Sequence, residues 1–304
     1  MIKYNPKTYV AHIFSVYSRH VMRALLPMMV IVGAFTASVE YVMKNIIKLE
    51  YEGTLAFHSI LGIILGLFLV IRTNTAYDRW WEGRKLWGQL VNNTRNLAIK
   101  VSAFVKDPDD RHFFRIAIPN LVFSIKEHLR DSIKVGEMEF RDMDMKNAVI
   151  RSKHRPNMIN RMMYQRLQYL RAKGDLTQEQ FFVLDKEMKM FSDIYGACER
   201  IKSTPIPYSY SMFIKKFVFF YINSLPFALV WQFGFWAVPI VVSIFYFLFS
   251  IELIAEEIED PFGTDINDLP LDELSVKIRN NVREIIDTEE YVHKKMGARI
   301  KSTV

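Results

Sequence analysis

Residues 72–98 read RTNTAYDRWWEGRKLWGQLVNNTRNLA and follow directly on an apolar run over 54–71. Over a short distance Leu, Ile, Gly and Phe give way to Arg72, Asp78, Arg79, the pair Trp80 and Trp81, Glu82, Arg84 and Lys85. That is the composition of a membrane–water boundary, because indole is apolar with one polar edge and guanidinium binds lipid phosphate. Taken alone, these residues suit anchors at an ordinary helix end. The stretch marks the place where the chain leaves a bilayer and enters water.

The chain has 304 residues, enough for one large or two ordinary domains. Half are hydrophobic and 24% are charged, so the apolar residues must be segregated along the sequence. The single cysteine, Cys198, excludes an intrachain disulfide and a cysteine-rich metal site. A net charge of +7 would suit nucleic acid, but an excess of Lys and Arg on one side of a membrane follows from insertion alone.

Residues 1–23 carry Lys3, Lys7, Arg19 and Arg23 with no acidic residue. The apolar run 24–43 that follows is too long for the core of a secretory signal and predicts a first span, with Glu40 near its far end. After a link over 44–53, the run 54–71 is just long enough to cross about 30 Å of hydrocarbon. Gly62 and Gly66, four apart, are predicted to share a face that lets a neighbouring helix approach. Another face carries Ile60, Ile64 and Phe68; by itself such a stripe suits packing against a helix or lipid. Further on, 217–255 holds only Glu252 as a charge and predicts two spans, 217–233 and 236–255, turning near Gln232 to Phe235. Pro226 and Pro239 fall inside them, and Trp231 and Trp236 mark the outer interface.

Between these pairs of spans, 72–216 holds about 27 basic and about 17 acidic residues, which places it in the cytoplasm with the amino terminus. Its composition favours helix, with apolar stripes in Trp87, Leu90, Val91, Leu97 and Val101 and in Phe181, Leu184, Met188 and Phe191. Residues 137–156 read as a loop or broken helix, 158–173 as a helix capped by Gly174, and Pro205 and Pro207 break the pattern before the membrane is re-entered. The bases are spread over several helices with acids between them, which argues against nucleic acid. Residues 256–304 open on an acidic turn and continue, from 271 to 296, as amphipathic helix. The expected fold is all-α, with four transmembrane helices and a large cytosolic helical domain.

Two runs resemble a known family. YDRWWEGRKLWGQL at 77–90, within which Asp78, Arg79, Trp80, Trp81 and Glu82 form the signature, and DPFGTDIND at 260–268 are similar to the bestrophin family of pentameric ion channels in its bacterial branch. The resemblance implies a homopentamer around a central pore lined by the second span. It implies a narrow neck of three large apolar residues, matched by Ile60, Ile64 and Phe68, where five copies of each side chain would form rings that dewet and block ions until they widen. It implies a cytosolic vestibule with a second constriction, which a rough match places near Gln178. In animal members the second run binds an activating calcium ion. Here Asp265, Asn267 and Asp268 remain as candidate ligands, but Thr264, Ile266 and Asn267 thin the carboxylates, and fewer anionic oxygens attract a divalent ion more weakly. A capped turn accounts for the same residues.

No catalytic constellation is visible. The seven histidines are scattered and none falls in HExxH, there is no Gly-rich phosphate loop or elbow serine, and Asp109 and Asp110 lie in a polar stretch read as loop. A secondary transporter would show paired repeats. The expectation is a non-enzymatic ion channel in a bacterial inner membrane, with both termini cytoplasmic, passing small monovalent ions and requiring no cofactor. The family implies anions; the neck, with Ile at two of three levels, leaves cations open. The alternative is a membrane-anchored sensor or scaffold that conducts nothing.

Overall fold

The computed structural model describes residues 16–48 and 55–301, with side chains described over 21–48 and 55–288. Most of the basic amino-terminal segment, part of the link before the second span, and residues 302–304 lie outside it. In chain order the helices are α1 (Val16–Tyr41), α2 (Leu55–Phe104), α3 (Pro108–Leu129), α4 (Met143–Arg151), α5 (Arg155–Lys173), α6 (Gln178–Ser203), α7 (Tyr208–Phe233), α8 (Ala237–Glu259) and α9 (Leu271–Lys301). Among the described residues there is no strand. The described residues form two compact units, one built from those up to Trp81 together with 205–268, the other from 82–204 together with those from 269 onward.

The first unit holds α1, the start of α2, α7 and α8. Among the described residues three stretches are long and apolar enough to cross a membrane: Val21–Ile47, Leu55–Phe104 and Tyr208–Glu259. The third comprises α7 and α8, joined by a turn at Gly234–Trp236 in which Gly234 takes a φ of 57°, a conformation that a Cβ would strain. Its core gathers Val21 and Leu25 of α1, Leu65 and Leu69 of α2, Ile214, Val218 and Ile222 of α7, and Phe245 of α8. Outward side chains such as Met28, Ile31, Phe219, Phe220 and Trp236 are exposed. That many apolar groups facing water would drive association, whereas hydrocarbon accepts them at no cost.

The predicted glycine face is only half used within this unit. A Cβ on Gly62 would come within 2.9 Å of the Tyr221 hydroxyl, so the missing side chain is what lets α7 approach; around Gly66 nothing lies within 4 Å. Next to this contact, His58 Nε2 and Ser224 Oγ are 3.1 Å apart. Composition changes sharply at residue 72, yet α2 does not break there. No proline falls anywhere in 55–104, so nothing breaks the hydrogen-bond ladder there and one helix carries the apolar run into the polar one.

The second unit packs α3, α5, α6 and α9 with the polar part of α2. Its core includes Trp87, Leu90, Leu97, Phe114, Leu121, Ile125, Met163, Leu167, Leu184, Met188 and Phe191. Local chemistry sets the helix ends. The Asp107 carboxylate accepts from the Asp109 N–H before Pro108 opens α3, Gly174 ends α5 at a φ of 84°, and Thr177 with Gln180 forms a capping box that starts α6. The stretch 137–156 contains α4, flanked by non-helical residues. Asp109 and Asp110 are not loop residues: both lie in the first turn of α3, and Asp110 is buried against Arg166. Buried Lys126 joins α3 to α9 through Asp272, at 2.8 Å, and Arg115 grips Asp287 with two hydrogen bonds.

Candidate functional site

One face of α2 is consumed by the fold and the opposite one is not. Leu65, Leu69, Arg72 and Ala76, spaced by three and four, are buried. Across the helix, Ile60 is 58% and Ile64 40% exposed, and Leu67 and Ile71 continue the same exposed apolar surface. Phe68 sits at its edge. It is half-buried, its ring edge-on to Phe213 and Phe217 of α7 at centroid distances of 5.6 and 6.3 Å. The three residues expected to form a neck thus fall on one side of the helix, two of them exposed and the third braced by α7.

The signature residues bind the acidic turn. Arg79 Nε donates to the Glu259 carbonyl at 3.0 Å, and the Trp80 indole N–H donates to the Asn267 carbonyl at 2.9 Å. Trp80 is therefore held by protein backbone, where the sequence suggested only a lipid anchor. Tyr77, Trp80 and Trp81 stack with centroids 6.0–6.5 Å apart, and exposed Trp81 covers the outer side. Asp78 is exposed, and Glu82, the first residue of the second unit, pairs with Arg200 at 2.6 Å.

Beside this clamp lies a buried ionic group that sequence reasoning missed. Arg72, 1% exposed, donates from Nη2 to Glu259 Oε2 at 2.6 Å and stands 3.9 Å from Glu252. The other oxygen of Glu259 accepts from the Ile206 N–H at 2.9 Å, which ties in the chain just before α7. Arginine at the end of an apolar run and glutamates recurring seven apart in another were the available signals. Nothing in one dimension pairs them.

Within the turn, Asp268 is buried and its Oδ2 accepts from the Asp265 N–H at 2.6 Å, while Oδ1 has no hydrogen-bond partner. Burial pushes its carboxyl up to about 6, helped by the charges of Asp265, Asp260 and Glu257 and opposed by that N–H. A cation would relieve this crowding. The donor atoms are not arranged as a cage, however. The Asn267 amide is turned onto Glu257 at 2.8 Å, and no three Asp, Glu, His or Cys ligand atoms of the turn gather within 4.8 Å of one another among the described residues. As folded, the segment is a turn held by its own hydrogen bonds.

Gln178 opens α6 at the tip of the α5–α6 hairpin. It is exposed, and its Oε1 accepts from Arg171 Nη1 at 2.9 Å.

A family model described as Bacterial/Fungal Bestrophin protein matches residues 1–284. A protein of Nostoc sp. named voltage-dependent anion channel-forming protein is 37% identical over 233 residues, covering 74% of this chain and 75% of that one. YneE of Escherichia coli, given the same description, is 33% identical over 260 residues, covering 84% of each. Among solved structures, a bacterial bestrophin homologue from Klebsiella pneumoniae superposes with a TM-score of 0.81 at 26% identity, covering 86% of this chain and 98% of that one.

Proposed function

The chain belongs to the bacterial and fungal bestrophin family, and on that premise we propose that it forms a homopentamer around a central pore that conducts small monovalent ions, anions in preference, across a bacterial inner membrane. It is a membrane ion channel and not an enzyme, in keeping with its family and its relatives. In this reading the four spans are 24–43, 54–71, 217–233 and 236–255, and both termini, with 72–216 and 256–304, are cytoplasmic.

The observation that carries the proposal is the uncovered stripe of Ile60 and Ile64 beside Phe68 on a helix whose other face is fully packed. One subunit cannot enclose a path, so the stripe becomes a neck only when copies surround an axis. Rings of such side chains exclude water when narrow and conduct when they widen, which gates without any charge. Anion preference is supported by the names of the relatives and by the aromatic edge of Phe68, whose partial positive charge can face an anion. Exposed Gln178, at a hairpin tip, is the candidate for a second, polar ring. The clamp of Arg79 and Trp80 on the acidic turn then links the pore helix to the segment after α8.

The test is the reversal potential of purified protein in planar bilayers under a salt gradient. Discrete steps reversing toward the anion equilibrium potential are expected. Steps reversing toward the cation potential would overturn the anion preference alone. Silence from protein shown to be folded and pentameric would favour the non-conducting membrane scaffold.

A further inference from the structure

The histidines are not all scattered. His128 ends α3, His154 caps the amino terminus of α5, and Glu199 lies in the last turns of α6. All three belong to the second unit, and their side chains converge. His128 Nε2 and His154 Nε2 stand 2.9 and 2.7 Å from the same oxygen, Glu199 Oε1, and the imidazole centroids are 4.5 Å apart. One ligand atom from each residue lies within 4.8 Å of the others. Among the described residues this is the one such set of three His, Cys, Asp or Glu groups. The residues are 26 and 45 apart in sequence, so no motif announces them.

We propose that His128, His154 and Glu199 form a binding site for a borderline divalent transition metal, with zinc the best fit. Two imidazole nitrogens and one carboxylate oxygen are a donor set that zinc takes with its fourth position open to water. Each of the three side chains is 31% exposed, so an ion can enter and a water ligand has room. Calcium and magnesium prefer all-oxygen shells and are not expected here.

Without metal, the cluster is held by protons. The Nδ1 of His154 accepts from the Asn157 N–H at 3.2 Å, so in the neutral ring Nε2 carries the hydrogen and donates it to Glu199. Metal binding through Nε2 moves that hydrogen to Nδ1 and releases the Asn157 N–H, which lies at an exposed helix start where water replaces the bond. Nearby Lys202, whose charge would repel an ion, is neutralised by Asp131 at 2.6 Å and donates to the His128 carbonyl. The occupied site would fasten three helix ends to one another; the inference is independent of whether the pore conducts.

The test uses full-length protein in detergent, stripped with chelator and titrated with zinc chloride by calorimetry. One ion per subunit is expected. The variants His128→Gln and His154→Gln should each weaken binding by more than the 10–100-fold typical of losing an outer partner of a ligand, whereas Asp268→Asn should leave it unchanged. Cobalt bound to the native protein should give a spectrum of low coordination number with imidazole ligands, a reading that needs no variant to fold. Unaltered zinc binding in the histidine variants, loss in Asp268→Asn alone, or an octahedral, nitrogen-free cobalt spectrum would overturn the proposal.

Discussion

Replacing Arg72 by Leu removes the cation of the ionic group that joins α2 to the end of α8. The guanidinium is 1% exposed and bonds Glu259 at 2.6 Å, and Glu252, 5% exposed, has it as its nearest cation at 3.9 Å. After the change the Glu259 carboxylate keeps only the Ile206 N–H, and buried Glu252 and partly buried Glu259 lose the cation between 2.6 and 3.9 Å from them. Breaking a buried pair on one side costs about 3–5 kcal/mol, mostly because the remaining charge is stranded. At about 2–4 °C per kcal/mol for a domain of this size, the melting temperature should fall by roughly 6–20 °C. Intrinsic fluorescence in detergent reports it, at one scan rate throughout, since unfolding of such a protein is under kinetic control. Glu259→Gln in the Arg72→Leu background should recover part of the loss, because it removes a stranded charge, and Arg72→Lys should fall between. A shift under about 2 °C for Arg72→Leu, or no recovery in the double variant, would refute the claim that this pair holds the helix ends together.

Three further outcomes are expected. In the proposed pore, Ile64→Ala should widen the neck at that level and raise single-channel conductance in planar bilayers; unchanged currents would remove Ile64 from the pore. Burial pushes the carboxyl of Asp272 up, but Lys126 and Arg130 together outweigh it and bring it down to about 2. The stability it adds is complete above the ordinary aspartate value near 4 and lost as pH falls toward about 2, so the melting temperatures of wild type and Asp272→Asn should converge across that window. A constant gap would show that the charge is not what matters. Cys198 is fully buried, and burial, with Glu199 and Glu82 nearby, pushes its thiol up to about 12. It should therefore resist alkylation at about pH 8 until the protein unfolds; rapid labelling of native protein would contradict the packing around α6.

By itself the sequence determined what is local. The length of an apolar run, the helix-forming residues of 72–216, the cap at Gly174, the prolines before α7 and the turn near Gly234 are properties of neighbouring residues, and the helices follow them. The stripe of Ile60, Ile64 and Phe68 was legible for the same reason, since helical periodicity puts those positions on one side. Periodicity does not say what a face meets. Only the tertiary structure decided that Gly62, and not Gly66, receives α7, that the Trp80 indole N–H goes to the Asn267 carbonyl, and that Arg72 finds Glu259 at 187 positions' remove. The same holds for His128, His154 and Glu199, brought together from three helix ends. A helix fixes the direction of its side chains relative to its own axis, but partners are fixed by how helices pack, and that is set by the summed burial of many residues far apart in the chain.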